Sequence, residues 1–110
     1  MSEVIKLVRN DNRPEITLTI KDANTDTVIN LTGATEVVHF RKSGTTTVLA
    51  TLSCTHVTDG TDGKTKFKFT GTSLNVEAGN YEGEVEITYT GGDKQTVYDL
   101  LKFRVREELA

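Results

Sequence analysis

The chain has no tryptophan and only one cysteine, one proline and one methionine. The single Cys54 excludes an internal disulfide framework and a cysteine-built zinc site. It suits a reducing compartment, or a particle assembled in one. No apolar run approaches the roughly 20 residues that a membrane-spanning helix needs. The opening Met1-Ser2-Glu3-Val4-Ile5-Lys6 lacks a basic n-region and an apolar h-region, so no secretory leader is expected. Positive charge is not in excess either. The net charge is −3 with both signs interspersed, which argues against a nucleic-acid binder that works by bulk charge. Asn30-Leu31-Thr32 is formally a glycosylation sequon, and in a chain not expected to be secreted it reads as coincidence.

What is present is threonine, valine and clean alternation. β-Branched residues suit a pleated, half-buried surface. At 110 residues the chain is expected to form one domain over 1–110, large enough to bury roughly 60–70% of its unfolded surface without staples. The clearest stretch is Tyr81 to Tyr89. Tyr81, Gly83, Val85, Ile87 and Tyr89 fall on one side and Glu82, Glu84, Glu86 and Thr88 on the other. Successive strand side chains point to opposite faces, so this is a strand with one buried and one wet side.

The same reading runs along the chain. Val4 to Val8 is a short first strand, ended by the polar cluster before Pro14. Ile16, Leu18 and Ile20 point inward from a second. Ala23-Asn24-Thr25-Asp26 turns the chain, and a third strand near Glu36 to Arg41 carries Val38 and Phe40 inward. Thr46 to His56 reads as one strand with Val48, Ala50, Leu52 and Cys54 on a shared face. After the Thr58–Gly63 loop, Phe67 and Phe69 point in and Lys64, Lys66 and Lys68 out. A short helical turn is placed around Ser73. Gln95 to Arg106 follows the Gly91-Gly92 hairpin as a last strand, with a bulge at Tyr98–Leu101. Seven main strands at regular spacing predict an all-β fold, a seven-stranded immunoglobulin-like β-sandwich. That order sets Glu82, Glu84 and Glu86 beside Lys102 and Arg104 on one side and His39 and Arg41 on the other. Tyr81, just after a turn and opening a late strand, is similar to the tyrosine corner of such sandwiches. Its hydroxyl is then expected to bond backbone within Ser73–Glu77.

No constellation of catalytic groups stands out. Cys54 and His56 share a strand face, but a nucleophile pair needs mutual contact and an orienting third group, and Cys54 sits in an apolar register. His39 and His56 do not set a metal-ligand spacing. Asp22-x-Asn24-x-Asp26 matches the start of a calcium loop, yet Thr27 and Gly33 stand where the loop's glycine and glutamate belong. Asp59 and Asp62 flank turn glycines and could equally hold a cation weakly or serve as turn residues. The glutamate row of 82, 84 and 86 reads as a solvated face matched to basic neighbours. The chain is therefore read as non-enzymatic, with no cofactor.

Asn10-Asp11-Asn12-Arg13-Pro14 through Lys21-Asp22-Ala23-Asn24, followed by Val28-Ile29-Asn30-Leu31-Thr32-Gly33-Ala34-Thr35, resembles a recurrent phage-protein pattern. In it an Asp precedes a Pro, a strand closes on Asp-Ala-(Asp/Asn), and Leu-Thr-Gly-Ala opens the next strand. Gly79-Asn80-Tyr81 and Phe103-Arg104-Val105-Arg106 resemble the second half of the same family. The family is the small β-sandwich related to the N-terminal domain of phage baseplate upper proteins. Glu36 departs from it, at a place where the pattern carries an apolar residue, so an open or bulged strand edge is expected there. The resemblance implies a virion structural protein, assembled in the bacterial host cytoplasm, whose partners are other phage structural proteins or further copies of itself. It implies no nucleic acid, no membrane and no catalytic residues. Exposed strand edges and termini are then the expected contacts: Val4, Ile5 and Leu7 in the first strand, and Arg106 and Leu109 in the tail Arg106–Ala110. The alternative is a carbohydrate- or receptor-binding module, for which Tyr98 is the one outward aromatic.

Overall fold

Alternation of apolar and polar residues gives strands one face to bury, and two such sheets bury each other. The structure, a computed structural model, describes residues 4–109. Among these residues there are nine strands and no helix: β1 Val4–Val8, β2 Glu15–Thr19, β3 Thr35–Lys42, β4 Ala50–Ser53, β5 Thr55–His56, β6 Lys64–Lys68, β7 Gly79–Thr88, β8 Lys94–Thr96 and β9 Leu101–Arg106. The larger sheet has the order β1-β9-β7-β3-β4, with β8 also on β7; the smaller has the order β2-β6-β5. β1 runs parallel to β9, and every other pairing is antiparallel.

The inner faces share one core. Phe40 of β3 and Phe103 of β9 meet Phe67 and Phe69 of the smaller sheet's side, with ring centroids of Phe40 and Phe69 4.9 Å apart. Phe40 is fully buried and stacks on Tyr81 at 5.1 Å. Gly83 lies beneath this cluster. A Cβ there would stand 2.9 Å from Val38 Cγ1 and 3.0 Å from Phe103 Cε2, which explains a glycine in mid-strand, where it otherwise weakens pairing.

The strand count differs from seven in two places. Thr46–His56 is not one strand. Residues 44–49 are irregular, and Val48 is exposed rather than inward. β4 then pairs with β3 in the large sheet and β5 with β6 in the small one, so the chain changes sheets at Cys54. The residues facing the interior keep their period through that change, which is why the sequence reads as a single strand. Likewise, Gln95–Arg106 is not one bulged strand. β8 pairs with Glu86–Thr88 of β7 and β9 with Gly79–Gly83, and residues 97–100 step between them. The stretch around Ser73 is a turn closed by Ser73 N–H to the Thr70 carbonyl.

The outer face of the large sheet is striped by charge. Glu82 of β7 lies opposite Lys102 of β9 and Arg41 of β3, and it ion-pairs with Arg41 at 2.8 Å. Glu84 faces His39, while Arg104 lies opposite Asn80 and donates to its Oδ1. Opposite charges across strands contribute about 0.2–1 kcal/mol per pair.

Candidate functional site

Three places bring chemistry-bearing residues together: the sheet crossover, the turn below Tyr81, and the free edge at β1.

At the crossover, Glu36 occupies an inward position of β3 and is buried, with its side chain fully shielded from solvent. The strand is neither open nor bulged there, contrary to the expectation from the sequence. Glu36 stays in register opposite Ile87, and its carbonyl accepts the Cys54 amide. A carboxylate between two sheets is costly unless paired. It is answered from the other sheet: His56 of β5 places Nε2 2.9 Å from Glu36 Oε2. The other oxygen, Oε1, has no hydrogen-bond partner among the described residues. His56 is packed beneath the following loop, where a Cβ on Gly60 would come within 3.0 Å of Nδ1. The pair therefore clips β3 to β5 at the point where the chain leaves one sheet for the other.

Cys54 lies beside this pair, half-buried. Burial, then the nearby Glu36 charge, pushes its thiol up to about 12, against a smaller opposing effect of the Thr65 hydroxyl. Because the thiolate is the nucleophile, a thiol held protonated is a poor one at neutral pH. Native protein is accordingly expected to react with a disulfide reagent far more slowly than denatured protein, and equal rates would contradict this placement. Among the described residues, no group of three or more His, Cys, Asp or Glu side chains could hold a metal ion.

The acidic turn residues are engaged in turns. Asp22 Oδ1 accepts the Asn24 amide, and Asp26 adopts a left-handed φ of 55°, closing the turn across the Lys21–Val28 bridge. Asp59 accepts both the amide and the hydroxyl of Thr61, which hold its carboxyl below the ordinary value. Asp62 accepts from Thr58 and the Lys64 amide. Asn30 Oδ1 takes the Thr32 amide and hydroxyl in the same manner.

Below β7, Tyr81 is buried and its hydroxyl donates to the Glu77 carbonyl at 2.6 Å, four residues upstream. Burial raises the phenol above its ordinary value, so it keeps its proton and remains a donor. The Glu77 carboxylate is itself held below its ordinary value by Lys42. Tyr81→Phe keeps the ring packing and removes one hydrogen bond. Its expected cost is about 1 kcal/mol, read as a drop of about 5 °C in melting temperature; an unchanged melting temperature would contradict it.

Of the residues expected at an interface, Val4 is exposed, Ile5 half-buried and Leu7 buried in the core. Arg106 is exposed and donates to the Glu107 carbonyl. Leu109 is 94% exposed. Ala110, the end of that tail, and Met1–Glu3, on which part of the leader reading rests, lie outside the described residues. The structure brings β1 and β9 side by side, so the two terminal candidates adjoin rather than standing at separate ends. Tyr98, the outward aromatic, is 83% exposed. The Glu36–His56 pair is the feature that the sequence missed. Its one visible signal was Glu36 standing where the phage pattern that the chain resembles carries an apolar residue.

No protein-family model and no curated protein matches this chain.

Proposed function

We propose that this chain is a non-enzymatic structural component of a tailed-phage virion, assembled in the host cytoplasm. It would be present in repeated copies on the tail or baseplate, or as a capsid-decorating accessory. The resemblance of Asn10–Thr35 to the phage baseplate pattern carries the reading. The turns that define that pattern have clear physical work in the fold. Asp22-Ala23-Asn24 belongs to the turn closed by the Lys21–Val28 bridge after β2, and Leu31-Thr32-Gly33-Ala34 makes a tight turn, with Ala34 N–H on the Leu31 carbonyl and Gly33 at φ 75°.

The strand order supports the finer architecture. An immunoglobulin-like sandwich places its penultimate long strand between the third and the last. Here β7 lies between β3 and β9. With β2 and β6 opposing them, Tyr81 takes the corner position at the start of the β7 strand. The partners under this reading are other virion proteins or further copies of the chain, met through strand edges. No nucleic acid, membrane or cofactor is involved. Mass spectrometry of purified virions tests the proposal directly: the chain is expected among the particle proteins, and its absence would overturn it.

A second reading, a carbohydrate- or receptor-binding module, rests on the exposure of Tyr98 alone. A glycan array without hits would remove it.

A further inference from the structure

Among the described residues, β1 forms one edge of the larger sheet with no strand beyond it. Arg9 N–H bonds the Arg106 carbonyl. In a parallel ladder the amide and carbonyl of one residue point the same way and the direction alternates. Ile5 and Leu7 therefore turn their backbone groups toward β9, and Val4 and Lys6 turn theirs away from it. Since β1 ends the sheet order, those groups face outward, and such an edge is a template for strand addition.

The side chains specify the added strand. On the outer face Val4, Lys6 and Val8 lie opposite Lys102, Arg104 and Arg106. This puts four cations on the rim of the sheet, bordering an open groove of about 310 Å³ lined by Lys6, Leu7, Val8, Arg104 and Arg106. Among the described residues none of the four makes an ion pair. The tail carboxylates are already engaged, Glu107 by Arg9 and Glu108 by the Asn10 amide. On its other side β9 meets oxygen acceptors of β7: Glu82 lies opposite Lys102, and Asn80 lies opposite Arg104 and accepts from it. On the inner face, Ile5 is only half covered and Leu7 is buried.

We propose that the β1 edge binds an extended acidic segment of another protein by strand addition, with carboxylates at alternate positions over Lys6, Arg104 and Arg106 and apolar residues over Ile5. A second β1 edge is the wrong occupant, because pairing two copies there would set Lys6 and the arginine rows against each other. A phosphodiester chain could meet the cations and accept from the outward amides, but its phosphates offer no donor to the outward carbonyls of Val4 and Lys6. This proposal rests on the reading of the chain as an assembly component that meets its partners through strand edges, and it names the chemistry of the partner.

The test uses the full chain with an acetylated (Val-Glu)3 peptide, a (Val-Lys)3 control and an oligonucleotide. Hydrogen exchange is followed at the Val4 and Lys6 amides, and dimerisation by sedimentation. The expected result is slowed exchange at both amides with (Val-Glu)3 and not with (Val-Lys)3. Lys6→Glu, at an exposed position, is expected to weaken the binding at least about tenfold while leaving the melting temperature in place. Binding that ignores peptide charge, binding without protection of Val4 and Lys6, protection by the oligonucleotide, or dimerisation through β1 would each overturn the proposal. Virion content is measured separately. A chain found in particles that ignores the peptide therefore overturns this inference alone.

Discussion

Phe40→Ala is expected to lower the unfolding free energy by about 3–5 kcal/mol, the range for emptying a large buried aromatic site. Phe40 is fully buried on β3, an interior strand between β7 and β4. Its ring stacks on Tyr81 and meets the edges of Phe69 and Phe103, so the truncation removes contacts to both sheets at once. The neighbours cannot collapse freely into the space. Tyr81 is tied through its hydroxyl to the Glu77 carbonyl, and β3 is paired along both sides. Chemical denaturation checks this result; a loss below about 1 kcal/mol would mean that the site relaxes, contrary to the packing described. Phe40→Leu, which retains most of the apolar volume, is expected to lose less.

The second large effect lies at the sheet crossover. His56→Ala removes the partner of a fully buried carboxylate, and breaking such a pair typically costs about 3–5 kcal/mol. The lower end is expected here, because the His56 side chain retains 21% exposure and some solvent reaches the pair. The decisive comparison is the double variant Glu36→Met with His56→Ala. Once the carboxylate is gone no charge is left unpaired, and apolar replacement of a buried pair is often neutral or stabilising. The double variant is thus expected to be more stable than His56→Ala alone. If the two losses simply added, the Glu36–His56 contact would not be the reason for the cost.

These two sites differ in how far the sequence reveals them. The inward position of Phe40 follows from alternation with Val38, a local property that survives whatever the strand pairs with. Phe67, Phe69, Val85, Ile87, Leu101, Phe103 and Val105 are legible in the same way, and all are buried. The charged outer face was legible in part: Glu82 lies opposite Lys102 and Arg41 and Glu84 opposite His39, but Arg104 lies opposite Asn80, and Glu86 lies between Val37 and Thr96. Tyr81 could be singled out because a turn just ahead of it leaves backbone carbonyls within reach of its hydroxyl.

The breaks were not legible. Thr46–His56 alternates as one strand would, yet Val48 is exposed and β4 and β5 belong to different sheets. A chain crossing between two facing sheets keeps one side toward the interior, so the periodicity carries no mark of the crossing. Glu36 stood out only as a departure from the phage pattern that the chain resembles, and that suggested an open or bulged edge. Only its placement opposite His56, 20 residues away in the chain, makes it an interior clip.

The sequence by itself determined the β class, the inward and outward faces of the main strands and the tight turns, because side-chain alternation and turn chemistry act over a few residues. The tertiary structure alone decided which strand neighbours which, where the chain changes sheets, which carboxylate is buried with a histidine, and that β1 ends a sheet beside a row of cations. Those follow from how two faces are buried against each other across the whole chain, and no short stretch of sequence records it.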